Sequence, residues 1–246
     1  MAASLGLVVP AYRPDVDRLI RFLKELSVTL DPAALRVEID DPRPETIDRL
    51  DELPVTVNAA EQRRGKGAAL TAGFDRLETD VLGFADADGA TPAASVADVC
   101  EPVIDGTADL AVGSRRHPEA TVVAHQTLLR REMGDAFAWL ARRLLPVALY
   151  DYQCGAKAIA ADAWAAIRDH ITAPGFAWDV ELISFTGARG GRIVEIPVEW
   201  HDRPGSTVSA LGAPLEFGRT VLSVRRRAGA IAADREATEP TAVEDG

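Results

Sequence analysis

Short apolar runs alternate with longer amphipathic stretches along most of this sequence, and this alternation constrains the fold more than any other feature. LGLVVPAY (5–12) is continuously apolar, as expected for a strand buried on both faces of a parallel sheet. DVDRLIRFLKEL (15–26) then places apolar residues at helical spacing. Strands that alternate with helices in this way predict an α/β fold with a mostly parallel central sheet.

The same criteria predict the remaining elements. Strands are expected at 35–41, 55–60, 80–88, 108–115 and 192–200, and a short strand followed by a helix within 156–167. Helices are expected at 42–53, 65–77, 125–145, 178–190 and 214–229.

The length and composition are those of one globular domain with a full core. The chain has 246 residues, of which 47% are hydrophobic, and we expect a single domain over 1–230. The acidic, polar segment 231–246 is predicted to be a disordered tail. We expect no transmembrane helix, because no run of 18 apolar residues occurs, and no signal peptide. With only two cysteines, the sequence favours a reducing, cytoplasmic setting.

The charge balance narrows the possible partners. A net charge of -11 disfavours non-specific binding to nucleic acid. Lysine occurs only at positions 24, 66 and 157, so nearly all basic residues are arginines. The excess of acidic residues together with scarce lysine suggests adaptation to high salt.

Two carboxylates follow a predicted strand in GFADADGAT (83–91). Residues i and i+2 of a strand face the same side, so Asp86 and Asp88 should project together from its carboxyl end. Ligands bind at that edge of open α/β sheets, and paired carboxylates suit Mg²⁺ or Mn²⁺ holding phosphate oxygens. The alternative is an acidic surface turn at Gly89.

Two other segments support a ligand site. Asp40 and Asp41 end another predicted strand. RRGKG (63–67) precedes a predicted helix, so its backbone N–H groups and Lys66 are suited to phosphate oxygens. The alternative is a glycine-rich loop without a ligand.

The order of these motifs resembles a known family. VPAY, the DD pair, RRGKGAALTAGF and DADG occur in the order found in family 2 glycosyltransferases with a GT-A fold, a Rossmann-like three-layer α/β/α architecture. The resemblance is strongest to the dolichyl-phosphate glucosyltransferase and mannose synthase branches. It continues through DLAVGSRRH (109–117), YDYQCGAKAIAADAW (150–164), FAWDVELI (176–183) and IVEIPVEWHDRPGST (193–207), and covers roughly 5–228.

The resemblance implies a metal-dependent inverting transfer of a hexose from a nucleotide-diphosphate sugar, with UDP favoured, to dolichyl or polyprenyl phosphate. It implies a nucleotide-sugar half over 1–105 and an acceptor half over 106–230. The implied nucleotide-sugar residues are Pro10, Ala11, Tyr12, Asp40, Asp41, Lys66, Gly67 and Asp86. Asp86 and Asp88 are the implied ligands of Mg²⁺ or Mn²⁺. The implied catalytic and acceptor-side residues are Asp88, Arg115, Arg130, Arg131, Gln153, Asp179 and Arg203, with Glu181 beside them.

Three positions depart from the family pattern. Arg13 stands where the family usually has asparagine, Pro42 interrupts the usual DDGS, and Thr207 replaces a lysine in the closing loop. These changes affect the expected strength of diphosphate binding and the donor preference.

The sequence also predicts that the protein binds peripherally to a membrane surface. Arginines at 130, 131, 142 and 143 share a predicted helix with Leu, Phe and Trp, which favours binding to the cytoplasmic face of a membrane. A second helix with arginines at 219 and 225–227 is equally compatible with an ordinary solvated surface. Two alternatives remain open: a glycosyltransferase acting on a sugar hydroxyl, and a non-catalytic member of a glycosylation complex.

Overall fold

The elements of the first half follow the predicted alternation. A computed structural model describes residues 3–123, 139–175, 177–201 and 213–238 of the chain. The first eight elements are β1 (Leu5–Tyr12), α1 (Val16–Leu30), β2 (Ala34–Asp40), α2 (Pro44–Asp51), β3 (Thr56–Ala60), α3 (Lys66–Phe74), β4 (Val81–Ala85) and α4 (Ala93–Ile104).

The second half adds strands and helices in a less regular order. Residues 139–144 are helical and are termed α5; the rest of the helix predicted over 125–145 lies mostly outside the described residues. The other elements are β5 (Leu110–Ser114), β6 (Thr121–Val123), β7 (Ala156–Ala160), α6 (Ala161–Ile167), a 3₁₀ turn (Arg168–His170), α7 (Ala177–Ala188), β8 (Ile193–Pro197), β9 (Glu199–His201) and α8 (Ala213–Thr238).

Seven strands form the central sheet in the spatial order β3-β2-β1-β4-β7-β5-β8. Every pairing is parallel except those of β7, which runs antiparallel to both β4 and β5. β6 and β9 pair separately in a small parallel sheet. The prediction of an α/β fold with a mostly parallel sheet is therefore confirmed. As a result, the carboxyl ends of β1, β2, β4 and β5 meet the start of β7 at one edge.

β1 shows why this sheet is covered on both faces. Leu7 and Val9 pack into the core formed with α1 and α4, whereas Val8 packs into the core on the opposite face. That second core contains Trp178 of α7 and Val221 of α8. Side chains of a strand alternate between faces, so a continuously apolar strand requires helices on both sides. Among the described helices, none is both long and apolar enough to cross a membrane.

Helix α4, strand β6 and the division of the last predicted strand were not predicted. Helix α4 contains Pro102, whose carbonyl accepts the N–H groups of Thr107 and Ala108 beyond the helix end. The single strand expected at 192–200 is divided into β8 and β9, and Pro197 at the end of β8 has no N–H to continue a ladder. β9 pairs instead with β6.

The disordered tail was predicted to begin at residue 231, which is too early. Helix α8 continues through Thr238, so residues 231–238 are helical, whereas 239–246 lie outside the described residues. Ile231 is 3% exposed and packs into the core beside α7. The guanidinium of Arg235 lies where a Cβ on Gly190 would be, in the turn after α7. These contacts, which composition does not reveal, hold the segment in the domain.

Replacing Ile231 with alanine should lower the free energy of unfolding by about 2 kcal/mol or more, because it empties a buried site. Leu222→Ala on the same helix is the matched control, since Leu222 is 56% exposed and its loss should change stability by less than about 0.5 kcal/mol. Denaturant unfolding measures both. Equal stability of the two variants would show that the end of α8 contributes nothing to the core.

Candidate active site

Most of the sequence-predicted site residues gather at the edge where β1, β2, β4 and β5 end. Tyr12 ends β1, Asp40 ends β2, Asp86 follows β4 and Arg115 follows β5. Gln153 lies on the loop that leads into β7 at the same edge. The sheet thus brings together residues separated by more than a hundred positions in the chain. Arg130, Arg131 and Arg203 lie outside the described residues.

Asp86 and Asp88 lie in a turn directly after β4, not on the strand as the sequence suggested. The Asp86 N–H donates to the carbonyl of Gly155 at 2.8 Å. The Gly89 N–H donates to the carbonyl of Asp86 at 3.3 Å, and Gly89 has a φ of 61°. Asp88 Oδ1 accepts the N–H of Ala90 at 2.9 Å. The backbone of the turn is therefore fixed by its own hydrogen bonds and by β7.

The two carboxylates influence each other. Loss of hydration, followed by the charge of Asp86, raises the pKa of the Asp88 carboxyl above its ordinary value. Like charges that are held together in this way are stabilised when a cation binds between them.

Gly155 makes room for Asp86. A Cβ at position 155 would lie 2.4 Å from Asp86 Oδ2 and 2.7 Å from its carboxyl carbon. Only glycine at position 155 leaves this carboxylate where it is. The glycine of the YDYQCG segment therefore belongs to the carboxylate site, although its sequence position gave no indication of this.

The carboxylate pair suits a hard divalent cation. In the described ranges, no three His, Cys, Asp or Glu side chains converge as a complete metal cage. Two carboxylates at an open edge are instead the donor set with which Mg²⁺ and Mn²⁺ retain water and bind substrate phosphates. The residues fit such an ion, which Asp86 and Asp88 would hold.

Asp40 anchors the RRGKG loop. Its carboxylate accepts the backbone N–H groups of Arg64 and Gly65 at 2.7 and 2.9 Å, and the Arg64 Nε at 2.7 Å. Asp40 is 2% exposed, so it shapes the loop from below. The sequence suggested that it contacts the nucleotide.

Glu38, which sequence reasoning missed, supports the same loop. It is fully buried and accepts hydrogen bonds from Asn58 at 2.6 Å, Arg64 at 3.1 Å and Arg36 at 3.2 Å. Its position two residues before Asp40 on β2 places both carboxylates on one face, which is the signal that could have found it.

The loop is backed by residues 173–175. Gly65 has a φ of 96°, and a Cβ there would lie 2.5 Å from the carbonyl oxygen of Pro174. A Cβ on Gly67 would lie 2.4 Å from the carbonyl oxygen of Ala173. Both glycines are required because two backbones approach closely.

The end of β1 presents one aromatic ring. Tyr12 is half-buried, with the Arg63 guanidinium 4.2 Å and that of Arg13 5.4 Å from its ring centroid. Pro10 and Ala11, predicted as pocket wall, are buried within the sheet.

The residue that departs from the family pattern at the end of β1 has a defined partner. Arg13 donates through Nε at 2.9 Å and Nη2 at 2.5 Å to Asp41. Both residues have positive φ, 44° and 49°, a region that asparagine tolerates better than arginine. This exposed ion pair accounts for Arg13 and occupies one predicted nucleotide contact.

Arg115 is held by a buried carboxylate. Asp151 accepts its Nε at 2.7 Å and its Nη2 at 3.0 Å, and Asp151 is 2% exposed. Burial alone would raise the pKa of Asp151, but the Arg115 guanidinium holds it far below its ordinary value. Burial alone would lower the pKa of Arg115, but Asp151 holds it above its ordinary value.

The backbone around Asp151 is also fixed. Glu195 on β8 accepts the N–H groups of Tyr150 and Asp151 at 2.9 and 2.8 Å. The half-buried Gln153 donates its N–H to Asp151 at 3.0 Å. Asp151 and Glu195 are thus structural supports of the predicted arginine, and neither was singled out from the sequence.

Asp179 lies beneath the site and not on its surface. It is fully buried, with Lys157 Nζ 2.6 Å from one carboxylate oxygen and Lys66 Nζ 3.3 Å from the other. Lys66 Nζ is also 3.1 Å from Asp86 Oδ1. The four groups form a continuous chain of alternating charges under the carboxylate turn.

Glu181 has a related supporting role. It accepts the N–H groups of Thr172 and Ala173 at 2.8 and 2.9 Å and pairs with Arg227 of α8. It therefore fixes the segment that backs the RRGKG loop.

The solved structures with the same architecture are GT-A glycosyltransferases. Glucosyl-3-phosphoglycerate synthase from Mycobacterium tuberculosis, in complex with Mn²⁺, UDP and phosphoglyceric acid, superposes with a TM-score of 0.70 at 18% identity. The match covers 92% of this chain and 79% of that one. The chain thus has a GT-A fold.

The sequence places the chain within that class. Residues 7–156 match glycosyl transferase family 2, and the chain belongs to this family. Glycosyltransferase AglD of Haloferax volcanii is 30% identical over 229 residues, which is 89% of this chain and 36% of AglD. Dolichyl-phosphate beta-glucosyltransferase of Mus musculus is 30% identical over 182 residues, covering 70% of this chain and 55% of the mouse protein. Undecaprenyl-phosphate mannosyltransferase of Micrococcus luteus is 34% identical over 166 residues, 66% of each chain. The chain therefore spans only part of the length of its relatives.

Gly155→Ala should weaken Mn²⁺ binding by about tenfold or more, because the added methyl group displaces the Asp86 carboxylate. Titration followed by electron paramagnetic resonance of Mn²⁺ measures this. Gly229→Ala is the control, since a Cβ there meets nothing within 4 Å. Unchanged Mn²⁺ affinity in Gly155→Ala would remove Asp86 from the metal site.

Asp88→Asn should abolish Mn²⁺ binding and yet stabilise the fold at pH 7. The raised pKa of Asp88 means that its ionised form is disfavoured in the folded chain. That cost is present above the raised pKa and absent below the ordinary value of 3.8, so the advantage of the variant should shrink as the pH falls towards 3.8. Thermal unfolding at several pH values measures it, with Asp98→Asn on the exposed face of α4 as control. A wild type more stable than Asp88→Asn at pH 7 would contradict this assignment.

Proposed function

We propose that the chain transfers a hexose, with inversion, from a nucleotide-diphosphate sugar, preferably a UDP-sugar, to a dolichyl or polyprenyl phosphate. The observation that carries the proposal is the arrangement at one edge of the sheet: the Asp86–Asp88 turn after β4 lies beside Lys66, and Arg115 follows β5 at the same edge. A donor diphosphate and an acceptor phosphate both require such cationic and metal-binding groups.

The donor half of the site is supported by the RRGKG loop and Tyr12. The mycobacterial enzyme with the same fold was crystallised with UDP and Mn²⁺, and another crystal contained UDP and Mg²⁺. In this chain Asp86 and Asp88 would hold the ion, which offsets the charge that develops on the leaving diphosphate. Tyr12 offers a ring for a nucleobase. The excess of acidic residues and the scarcity of lysine support adaptation to high salt.

The acceptor half is supported by Arg115. Its guanidinium is locked by Asp151, so its direction is set before any ligand arrives. The names of two relatives specify dolichyl phosphate and undecaprenyl phosphate. We infer that Arg115, with Arg130, Arg131 and Arg203, holds the attacking phosphate in line with the anomeric carbon.

The reaction needs no strong base with this acceptor. An oxygen of the ionised phosphate forms a bond to the anomeric carbon as the bond from that carbon to the diphosphate oxygen breaks, and the nucleoside diphosphate departs. A sugar hydroxyl would require a base to accept its proton. Asp179, the carboxylate that the sequence placed at the acceptor side, is fully buried between two lysines, which argues against its acting as that base.

Access to a lipid acceptor is supported by exposed apolar side chains that lie among arginines on two helices. Trp139 of α5 is 64% exposed beside the exposed Arg142 and Arg143. On α8, Leu222 is exposed near Arg219, Arg225 and Arg226. Arginines with protruding apolar side chains suit an anionic membrane surface, so we propose peripheral association at the cytoplasmic face.

The testing experiment is a panel of UDP- and GDP-hexoses assayed with polyprenyl phosphate, with the corresponding prenol as the hydroxyl control. Transfer should require the phosphate and a divalent cation. Arg115→Lys should raise the KM for the lipid phosphate about tenfold or more, because the bidentate geometry is lost, with little change in the KM for the donor.

Arg192→Lys is the matched control, because Arg192 forms a similar bidentate pair with Asp109 away from the site edge and should leave transfer unchanged. Equal transfer to the prenol would favour the hydroxyl-acceptor alternative. Absence of transfer with every donor, in protein that still binds UDP, would favour a non-catalytic role.

A further inference from the structure

Two of the three lysines in this chain meet at a single buried carboxylate. Lys66 and Lys157 contact opposite oxygens of Asp179, at 3.3 and 2.6 Å. Lys24, the third lysine, is exposed on α1. Nearly all other basic residues of this chain are arginines. Two of its three lysines thus lie below the site, where a compact ammonium fits.

The surroundings hold these ammonium groups in fixed positions. Both lie over the ring of the fully buried Phe84, at 4.7 Å for Lys66 and 5.4 Å for Lys157. Lys157 also donates to the carbonyl oxygen of Cys154 at 2.8 Å and is 1% exposed. Lys157 is therefore a structural cation whose role is to neutralise one side of Asp179.

Lys66 differs because it reaches the edge. Its side chain is 10% exposed and bridges Asp179 below to Asp86 above, at 3.1 Å. Carboxylates at ion-pair distance on both sides favour the ammonium form of this group. A cation in this place lies beside the position that a donor diphosphate takes at Asp86.

We propose that Asp179 is a positioning residue: it holds the ammonium of Lys66 next to Asp86, where that ammonium contacts the donor diphosphate, and it accepts no proton during transfer. This inference rests on the proposed function for the identity of the ligand. It follows from the placement of Asp179, which is fully buried, with a hydrogen bond from Lys157 to one oxygen and Lys66 at ion-pair distance from the other. A general base must instead reach the group whose proton it takes.

The test measures binding of UDP with Mn²⁺ by calorimetry for Lys66→Met, Asp179→Asn and the double variant. Each single substitution should weaken binding by about tenfold or more, since a charge-assisted contact is lost or misplaced. The double variant should bind no more weakly than Lys66→Met, because Asp179 acts through Lys66. Lys24→Met should bind as the wild type does.

Mn²⁺ alone provides a signature that a merely structural role would not give. Lys66→Met should bind Mn²⁺ without UDP at least as tightly as the wild type, because the competing cation at Asp86 is gone, while binding of UDP with Mn²⁺ falls. The conservative Lys66→Arg should recover part of the affinity for UDP with Mn²⁺. Parallel losses in both titrations would overturn the proposal.

Asp179→Asn leaves an oxygen for Lys157, but if it unfolds, Asp179→Asn with Lys157→Met removes the uncompensated lysine and serves in its place. Binding of UDP with Mn²⁺ unchanged in these variants, together with a loss of kcat and of the acidic limb of its pH profile, would make Asp179 a base and overturn the proposal. If no donor supports transfer but the binding results hold, the proposed function fails and the role of Asp179 stands.

Discussion

The antiparallel pairing of β7 with β4 is the interaction on which the site depends. Its register sets Ala156 opposite Ala85, so the segment that precedes β7 reaches the same edge as the turn after β4. Gly155 then accepts the Asp86 N–H and leaves room for its carboxylate. Asp151, four residues before Gly155, accepts a hydrogen bond from Arg115. A parallel strand in this place would carry these residues to the opposite edge.

Charge burial is the main energetic cost of this arrangement. Removing ionised groups from water costs several kcal/mol each, and only close partners offset it. The chain meets this requirement with alternating charges, from Asp86 through Lys66 and Asp179 to Lys157. A second network joins Glu38, Asp40 and Arg64 under the RRGKG loop. Both networks give up stability for fixed geometry, which is typical of sites that must be organised before a ligand binds.

The supporting carboxylates hold two separate groups of residues in place at one edge of the sheet. Asp40 and Glu38 fix the RRGKG loop, whereas Asp151 and Glu195 fix Arg115. Only Asp86 and Asp88 lie between them in the turn after β4. Like charges in that turn repel, and the pKa of Asp88 is accordingly raised, so a cation is favoured there and not at the saturated carboxylates.

The sequence by itself determined the alternation of strands and helices, the mostly parallel sheet, the family, and the carboxylate pair after β4, because these depend on local periodicity and on short motifs. Tertiary structure decided what those residues do. The sequence placed Asp40 against the nucleotide and Asp179 at the acceptor side, but the fold buries both as supports. Asp151 and Gly155 were missed because their partners are distant in the chain, whereas Glu38 was missed although it shares a strand face with Asp40. Helix α8 extends into the polar tail predicted from composition because Ile231 packs into the core. Contacts between residues a hundred positions apart depend on strand order and register, which local patterns do not specify.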